Sequence, residues 1–231
     1  MEDNFINNTL HRGILIVFEG ISGCGKSENV DSLQSYLTGR GFKVRVVEWN
    51  SNCIIRGIIE KFKSLRLLTP GVYSFFQWLS FTLDYFFIIL PSLKKRCIIL
   101  ADRYAYTGLT RDNANGTPGR LGKYIYGRVV KPDLVFFQDI NPRVCYQRIQ
   151  KRGKSLFYTN KRILENRIIK NKDLFYLMKL RKEYLLLFNN HTVKNATNIV
   201  WVRNDNDIVK KYVDEYITAK RETQKYAKTF N

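Results

Sequence analysis

Short apolar runs alternate with amphipathic stretches along this chain, and turn residues separate them. Ile14-Leu15-Ile16-Val17-Phe18-Glu19 is a continuous apolar run closed by one acid, the pattern of a strand buried on both faces of a sheet. Phe42 to Glu48 alternates and is rich in Val, which predicts a second strand. Cys97 to Ala101, Leu134 to Asp139 and Ile199 to Val202 predict three more. Between the first two, Glu28 to Leu37 places Val30, Leu33 and Leu37 at helical spacing and stops at Thr38-Gly39-Arg40-Gly41. Further helices are predicted over Ile54 to Leu68, stopped by Thr69-Pro70-Gly71, over Tyr106 to Asn113, and from Asn141-Pro142 onward. Asn113 to Gly122 reads as a loop. Lys161 to Asn190 reads as helical with a break near Asn171-Lys172-Asp173, and Asp207 to Lys220 as a last helix. Strands alternating with helices predict an α/β fold, a doubly wound parallel β-sheet flanked by helices.

Tyr73 to Leu90 is the most apolar stretch and is long enough to raise the question of a membrane span. Gln77, Ser80, Thr82 and Asp84 recur along it and are costly in lipid. The expectation is therefore a core helix that shows one polar edge to a cavity, and no membrane.

The first strand runs into Gly20-Ile21-Ser22-Gly23-Cys24-Gly25-Lys26-Ser27, a G-x-x-x-x-G-K-S phosphate-binding loop. Glycines let such a loop wrap phosphate oxygens with inward backbone N–H groups, and the following helix aims its positive end at the same anion. Lys26 supplies a full charge to the transferred phosphates, and Ser27 a hydroxyl to Mg²⁺. Asp102-Arg103-Tyr104 ends another buried strand. An acid there, in a chain with this loop, is the expected partner of the Mg²⁺–phosphate complex, and Arg103 can clamp a second phosphate. Loops at the carboxyl ends of parallel strands line the ligand crevice, which places Glu48 and Trp49 at the same cleft. Arg148 and Arg152 share a helix face one turn apart. With Gly153 to Asn160 they form a basic segment, over about 148–160, that reads as a mobile lid closing over triphosphate.

Composition narrows the picture. The 231 residues carry a net charge of +19, a field that attracts anions. Heavy use of Lys, Asn, Ile, Phe and Tyr gives a compositional account of the same charge, and no compact basic run or zinc-finger spacing points to nucleic acid. The four cysteines are far apart, which predicts free thiols in a reducing compartment. His11 and His191 alone cannot build a His-rich metal site, and the sequons at Asn7, Asn190 and Asn195 read as chance. Met1 to Arg12 is polar and holds no apolar signal core, so a cytoplasmic location is expected. A single domain over 13–220 between polar tails at 1–12 and 221–231 follows.

Three segments carry a resemblance: FEGISGCGKS at 18–27, ILADRYAYTGLTRD at 99–112 and KPDLVFFQDINPRVCYQRIQKRG at 131–153. Their motifs, order and separations resemble the thymidylate kinase-like P-loop nucleoside monophosphate kinases over most of residues 13 to about 190. The resemblance implies transfer of the ATP γ-phosphate to a nucleoside monophosphate, dTMP to dTDP first, with Mg²⁺ and a homodimer formed near 54–90. By position it assigns Gly20 to Ser27 to ATP, Asp102 to the metal site, Arg103 to the acceptor phosphate, and Arg148 and Arg152 to the transferred group. Tyr104, Arg111 and Asp112 fall near the acceptor, Arg111-Asp112 standing where Tyr-Gln is usual. Glu48-Trp49-Asn50-Ser51 replaces a loop that usually holds a phosphate-binding Arg. The helix before Asp102 usually offers a base-stacking Phe and a base-reading Arg. One register puts Gln77 and Phe81 at those places, another Phe81 and Tyr85, and neither keeps the Arg. A kinase of the same fold acting on a nucleoside or specialised metabolite, and a non-catalytic ATP-binding protein, remain as alternatives.

Overall fold

The structure, a computed structural model, describes residues 12–203 and 205–229. The expected N-terminal tail up to His11, with the Asn7 sequon, lies outside the described residues, as do Asn204, Phe230 and Asn231. Five parallel strands, β1 (Ile14–Glu19), β2 (Val44–Glu48), β3 (Ile98–Asp102), β4 (Leu134–Gln138) and β5 (Asn198–Val202), form one sheet in the order β2-β3-β1-β4-β5. All six residues of β1 are buried, Ile14 to Phe18 as an unbroken apolar run requires of a central strand and Glu19 as a buried acid at its end.

Two hydrophobic layers cover the sheet. Ile14, Ile16 and Phe18 point to one face and pack under α1 (Lys26–Gly39) and the C-terminal helix through Val30, Leu33, Val209 and Val213. Leu15 and Val17 point to the other, where the remaining long helices bury Trp78, Leu177 and Phe188. The strand period of two thus sorts one run into two cores.

After β2 come α2 (Cys53–Ser64) and α3 (Pro70–Asp84). Thr69-Pro70-Gly71 both ends one helix and starts the next: Thr69 caps α3 by accepting from Val72 N at 3.3 Å, and Pro70 fills the first turn. α3 continues through a π turn at Tyr85–Ile89 into α4 (Leu90–Lys94). Pro91 cannot donate to the carbonyl four residues back, and the helix widens just before it. Pro70–Lys94 is the one helical segment among the described residues long and apolar enough to cross a membrane, and half of its most apolar window is buried here. The expected polar edge is inverted. Gln77, Ser80 and Asp84 are buried, whereas Phe75, Phe86 and Phe87 are 50%, 56% and 75% exposed.

α5 (Ala105–Asn115) follows β3 and is largely buried rather than a short polar helix. The predicted loop ends early, because Arg120–Arg128 forms α6, whose two internal glycines hid it from a propensity reading. α7 (Pro142–Lys151) starts at Asn141, whose Oδ1 accepts from Arg143 N at 2.9 Å. The break in 161–190 is real, but its first half holds one helical turn, α8 (Lys161–Leu164), before α9 (Lys172–Asn189). α10 (His191–Ala196) leads into β5, and α11 (Asn206–Thr229) continues through residues expected to be a polar tail.

Candidate active site

The strand order reverses around β1, and ligands of such sheets bind beyond the strand carboxyl ends at that point. A cavity of about 540 Å³ opens there. One side is lined by the phosphate-loop residues Ser22, Gly23, Gly25, Lys26 and Ser27, and Asp102 and Arg103 complete that side from the end of β3.

The loop is folded as its glycines demand. Gly23 has φ +83, and a Cβ there would stand 2.6 Å from Cys145 O, so only glycine fits. Gly25, at φ 104, caps α1 without a side-chain hydrogen bond, which leaves the first N–H groups of a 14-residue helix to an anion. Lys26 is buried, and its Nζ donates to Gly20 O at 3.1 Å, Ile21 O at 3.0 Å and Cys24 Sγ at 3.4 Å. Burial, then the nearby Arg103 charge, lowers its pKa from the ordinary lysine value. Ser27 Oγ donates to Asp102 Oδ2 at 2.8 Å, and Asp102 Oδ1 is buried without a partner. A hydroxyl and a carboxylate with one oxygen left over are hard oxygen donors, the set Mg²⁺ takes beside phosphate. The residues fit the ion.

Arg103 adopts φ +79, a backbone conformation costly for any residue with a Cβ. Its guanidinium donates to Gly20 O at 2.9 Å and reaches Ser22 Oγ at 3.4 Å. Arg148 donates weakly to the carbonyls of Gly23 and Cys24 at 3.4 and 3.5 Å, while Arg152, just past the end of α7, pairs with Glu28 at 3.2 Å. Both expected lid arginines therefore lie against the phosphate loop and α1. The segment after them brings Lys154 and Phe157 to the cavity, with Phe157 edge-on to Tyr73 at 5.1 Å.

The acceptor side differs from the sequence expectation. Glu48, Trp49 and Arg111 line the cavity; Gln77, Phe81, Tyr104 and Asp112 lie behind its wall. Each of the four is already engaged. Gln77 Nε2 donates to Tyr73 OH at 2.7 Å, and Phe81 stacks on Trp49 with centroids 5.1 Å apart. Tyr104 OH donates to Val130 O at 2.9 Å, and Asp112 Oδ2 accepts from Trp78 Nε1 at 2.8 Å. Burial raises the pKa of Asp112. In their place Arg56, Ile59 and Tyr73 face the cavity. Arg56 donates to Asn50 O at 3.0 Å and makes no ion pair among the described residues. Sequence reasoning passed over Arg56, although α2 starting at Cys53 puts it on the first turn beside the β2 loop.

The thymidylate kinase family model matches residues 18–205. The chain belongs to the thymidylate kinase family. It is 34% identical over 145 residues to a protein of Saccharolobus solfataricus described as probable thymidylate kinase 2, covering 63% of this chain and 68% of that one. It is 29% identical to the thymidylate kinase of Thermosipho melanesiensis, over 84% of this chain and 92% of the relative. For the thymidylate kinase of Leptospira interrogans the identity is 28%, over 89% and 94%. Thymidylate kinases use ATP as cosubstrate and act on a nucleotide, which agrees with a phosphate loop and an arginine-lined pocket sharing one cavity.

Proposed function

We infer that this chain transfers the γ-phosphate of ATP to dTMP, giving dTDP and ADP. The observation that carries the reading is the meeting, in one cavity of a thymidylate kinase-family chain, of the phosphate loop, the Ser27–Asp102 pair and Arg103. The glycine loop and the uncapped start of α1 bind the donor phosphates. Lys26 exchanges a loop carbonyl for a phosphate oxygen. Ser27 and Asp102 hold Mg²⁺, which when bound neutralises charge on the phosphates. Arg103 receives the acceptor phosphate, and Arg148 and Arg152 leave their loop and α1 partners for the transferred group as the 148–160 lid closes. Positioning and charge neutralisation account for most of such a transfer.

On the acceptor side, Arg56 and Arg111 supply further positive charge, and Tyr73 and Phe157 supply aromatic walls suited to a base. Residues 13–220 act as one kinase domain. The exposed Ile54, Phe75, Phe86 and Phe87 on α2, α3 and the π turn support a homodimer through that face. The four unpaired cysteines support a reducing, cytoplasmic setting, and no partner nucleic acid is invoked. A panel of nucleoside monophosphates with ATP and Mg²⁺ tests the reading. Phosphorylation of dTMP above the others is expected, and folded, ATP-binding protein that leaves dTMP untouched overturns it. Light scattering at working concentration tests the dimer, and a monomer mass removes it.

A further inference from the structure

Glu19 is a fully buried carboxylate in a strand whose other five residues are apolar. Four donors converge on it. Tyr104 N and Thr107 N reach Oε1 at 2.8 and 3.2 Å; Thr107 Oγ1 and Tyr184 OH reach Oε2 at 2.7 and 2.8 Å. Both N–H groups lie at the start of α5, that of Thr107 shared with Tyr104 O at 3.0 Å, so Glu19 caps that helix from β1. The Thr107 and Tyr184 oxygens also lie 2.8 Å apart, and Tyr184 comes from α9, 77 residues further along the chain. A buried carboxylate with this many donors is tied into one geometry, because releasing any donor strands a buried polar group.

The network surrounds Arg103. Its backbone N–H donates to Phe18 O at 3.0 Å, and the next N–H, of Tyr104, donates to Glu19. The strained φ of +79 is thus fixed by two successive bonds from the end of β1. The side chain is set from the same place: NH1 donates to Gly20 O at 2.9 Å and reaches Thr107 Oγ1 at 3.4 Å, while that hydroxyl donates to Glu19. Arg103 is also the charge that opposes the burial-driven rise in the pKa of Glu19.

We propose that Glu19 and Tyr184 are positioning residues for Arg103, setting the pose in which its guanidinium receives the acceptor phosphate. This rests on the role given to Arg103 above. Removal of either should act on the acceptor and not on ATP, and should act only while Arg103 is present. Tyr184→Phe and Glu19→Gln are made alone and in an Arg103→Gln background. Acceptor kcat/KM, acceptor affinity by calorimetry, ATP KM and Tm are measured for each. Tyr184→Phe is expected to lower acceptor kcat/KM about fivefold and Glu19→Gln about tenfold or more, with ATP KM changed by less than about twofold. Both losses should vanish in the Arg103→Gln background, since a residue acting through another has nothing left to position. Equal losses in both backgrounds, losses that track Tm, or losses confined to ATP overturn the proposal. Arg103→Gln without effect on the acceptor overturns it too. Tyr184→Phe removes a single oxygen and decides the matter if Glu19→Gln does not fold. A wild-type protein that phosphorylates no nucleoside monophosphate defeats the functional reading itself, an outcome distinct from an active enzyme indifferent to these variants.

Discussion

Asp112 gives the sharpest test of how the acceptor side is built. The family resemblance sets it at the acceptor, whereas the structure buries it against Trp78 Nε1 at 2.8 Å. Trp78 is fully buried, and a Cβ at Gly108 would stand 2.5 Å from its ring, so the indole cannot turn away to find another acceptor. Asp112→Ala strands that N–H and should cost about 1–3 kcal/mol. For a chain of this size that is a fall in Tm of about 2 to 12 °C. Asp112→Asn keeps an oxygen for the indole and should stay within about 1 kcal/mol of the parent at neutral pH, with acceptor KM changed by less than about twofold. pH adds a second signature. Burial raises the pKa of Asp112, so the folded carboxyl keeps its proton at pH values where the unfolded one, near 3.9, has lost it. Its contribution to stability is complete below the unfolded pKa and is lost as pH rises through the folded one. Asn titrates at neither end. The Tm of Asp112→Asn relative to the parent should therefore climb from about pH 4 upward and then level off. Thermal unfolding from pH 4 to 7.5, with steady-state kinetics at one pH, measures both. An acceptor KM raised tenfold at unchanged Tm, or a Tm difference flat with pH, would refute the structural role of Asp112.

Lys26→Ala should abolish most transfer while Tm and the far-UV spectrum hold, because its three hydrogen bonds all go to its own loop; unchanged turnover removes the lysine from the chemistry. Gly108→Ala forces a methyl to within 3 Å of both Trp78 and Trp49 and should destabilise by about 1–3 kcal/mol, read as a shifted urea midpoint. Cys24, at the centre of the phosphate loop, has no exposed surface. Iodoacetamide should leave it unmodified in the folded protein and modify it in urea, whereas exposed Cys53 reacts in both; peptide mapping that finds Cys24 labelled in native protein contradicts the packing.

The phosphate loop, the five strands and Asp102-Arg103 were legible because each is a local signal. A glycine spacing, a buried run and an acid at a strand end all lie within a few residues. What was not legible is long-range. Gln77 and Phe81 sit on the expected helix, but whether they face the cavity depends on Trp49 stacking on Phe81 from a different loop. The polar residues of Tyr73 to Leu90 suggested a wetted edge. Gln77 turns inward onto Tyr73 OH and Thr82 bonds back to the backbone of Trp78, partners that a single strip of sequence does not show, whereas Ser80 Oγ is buried with no partner among the described residues. Glu19 was in plain view as an acid ending an apolar run, yet the partner that explains it, Tyr184, lies 165 residues away.

The charges around Gly20 say why this arrangement suits phosphoryl transfer. Lys26 and Arg103 donate to the same carbonyl, and each like charge disfavours the other; burial first, and that repulsion second, lowers the pKa of Lys26. Glu19 lies beneath them, but its oxygens are taken by Thr107, Tyr184 and the backbone of Tyr104, so neither cation is paired with it by a hydrogen bond among the described residues. The start of α1 adds a third positive end with no side-chain cap. Folding has therefore gathered positive potential at one point, offset only in part by the Asp102 and Glu19 carboxylates and held by hydrogen bonds that predate any substrate. A phosphate placed there relieves the Lys26–Arg103 repulsion and supplies acceptors for the helix N–H groups without reorganising the scaffold. The more negative charge the bound group carries, the larger that relief, so donor and acceptor phosphates bound together gain more from this point than either bound alone.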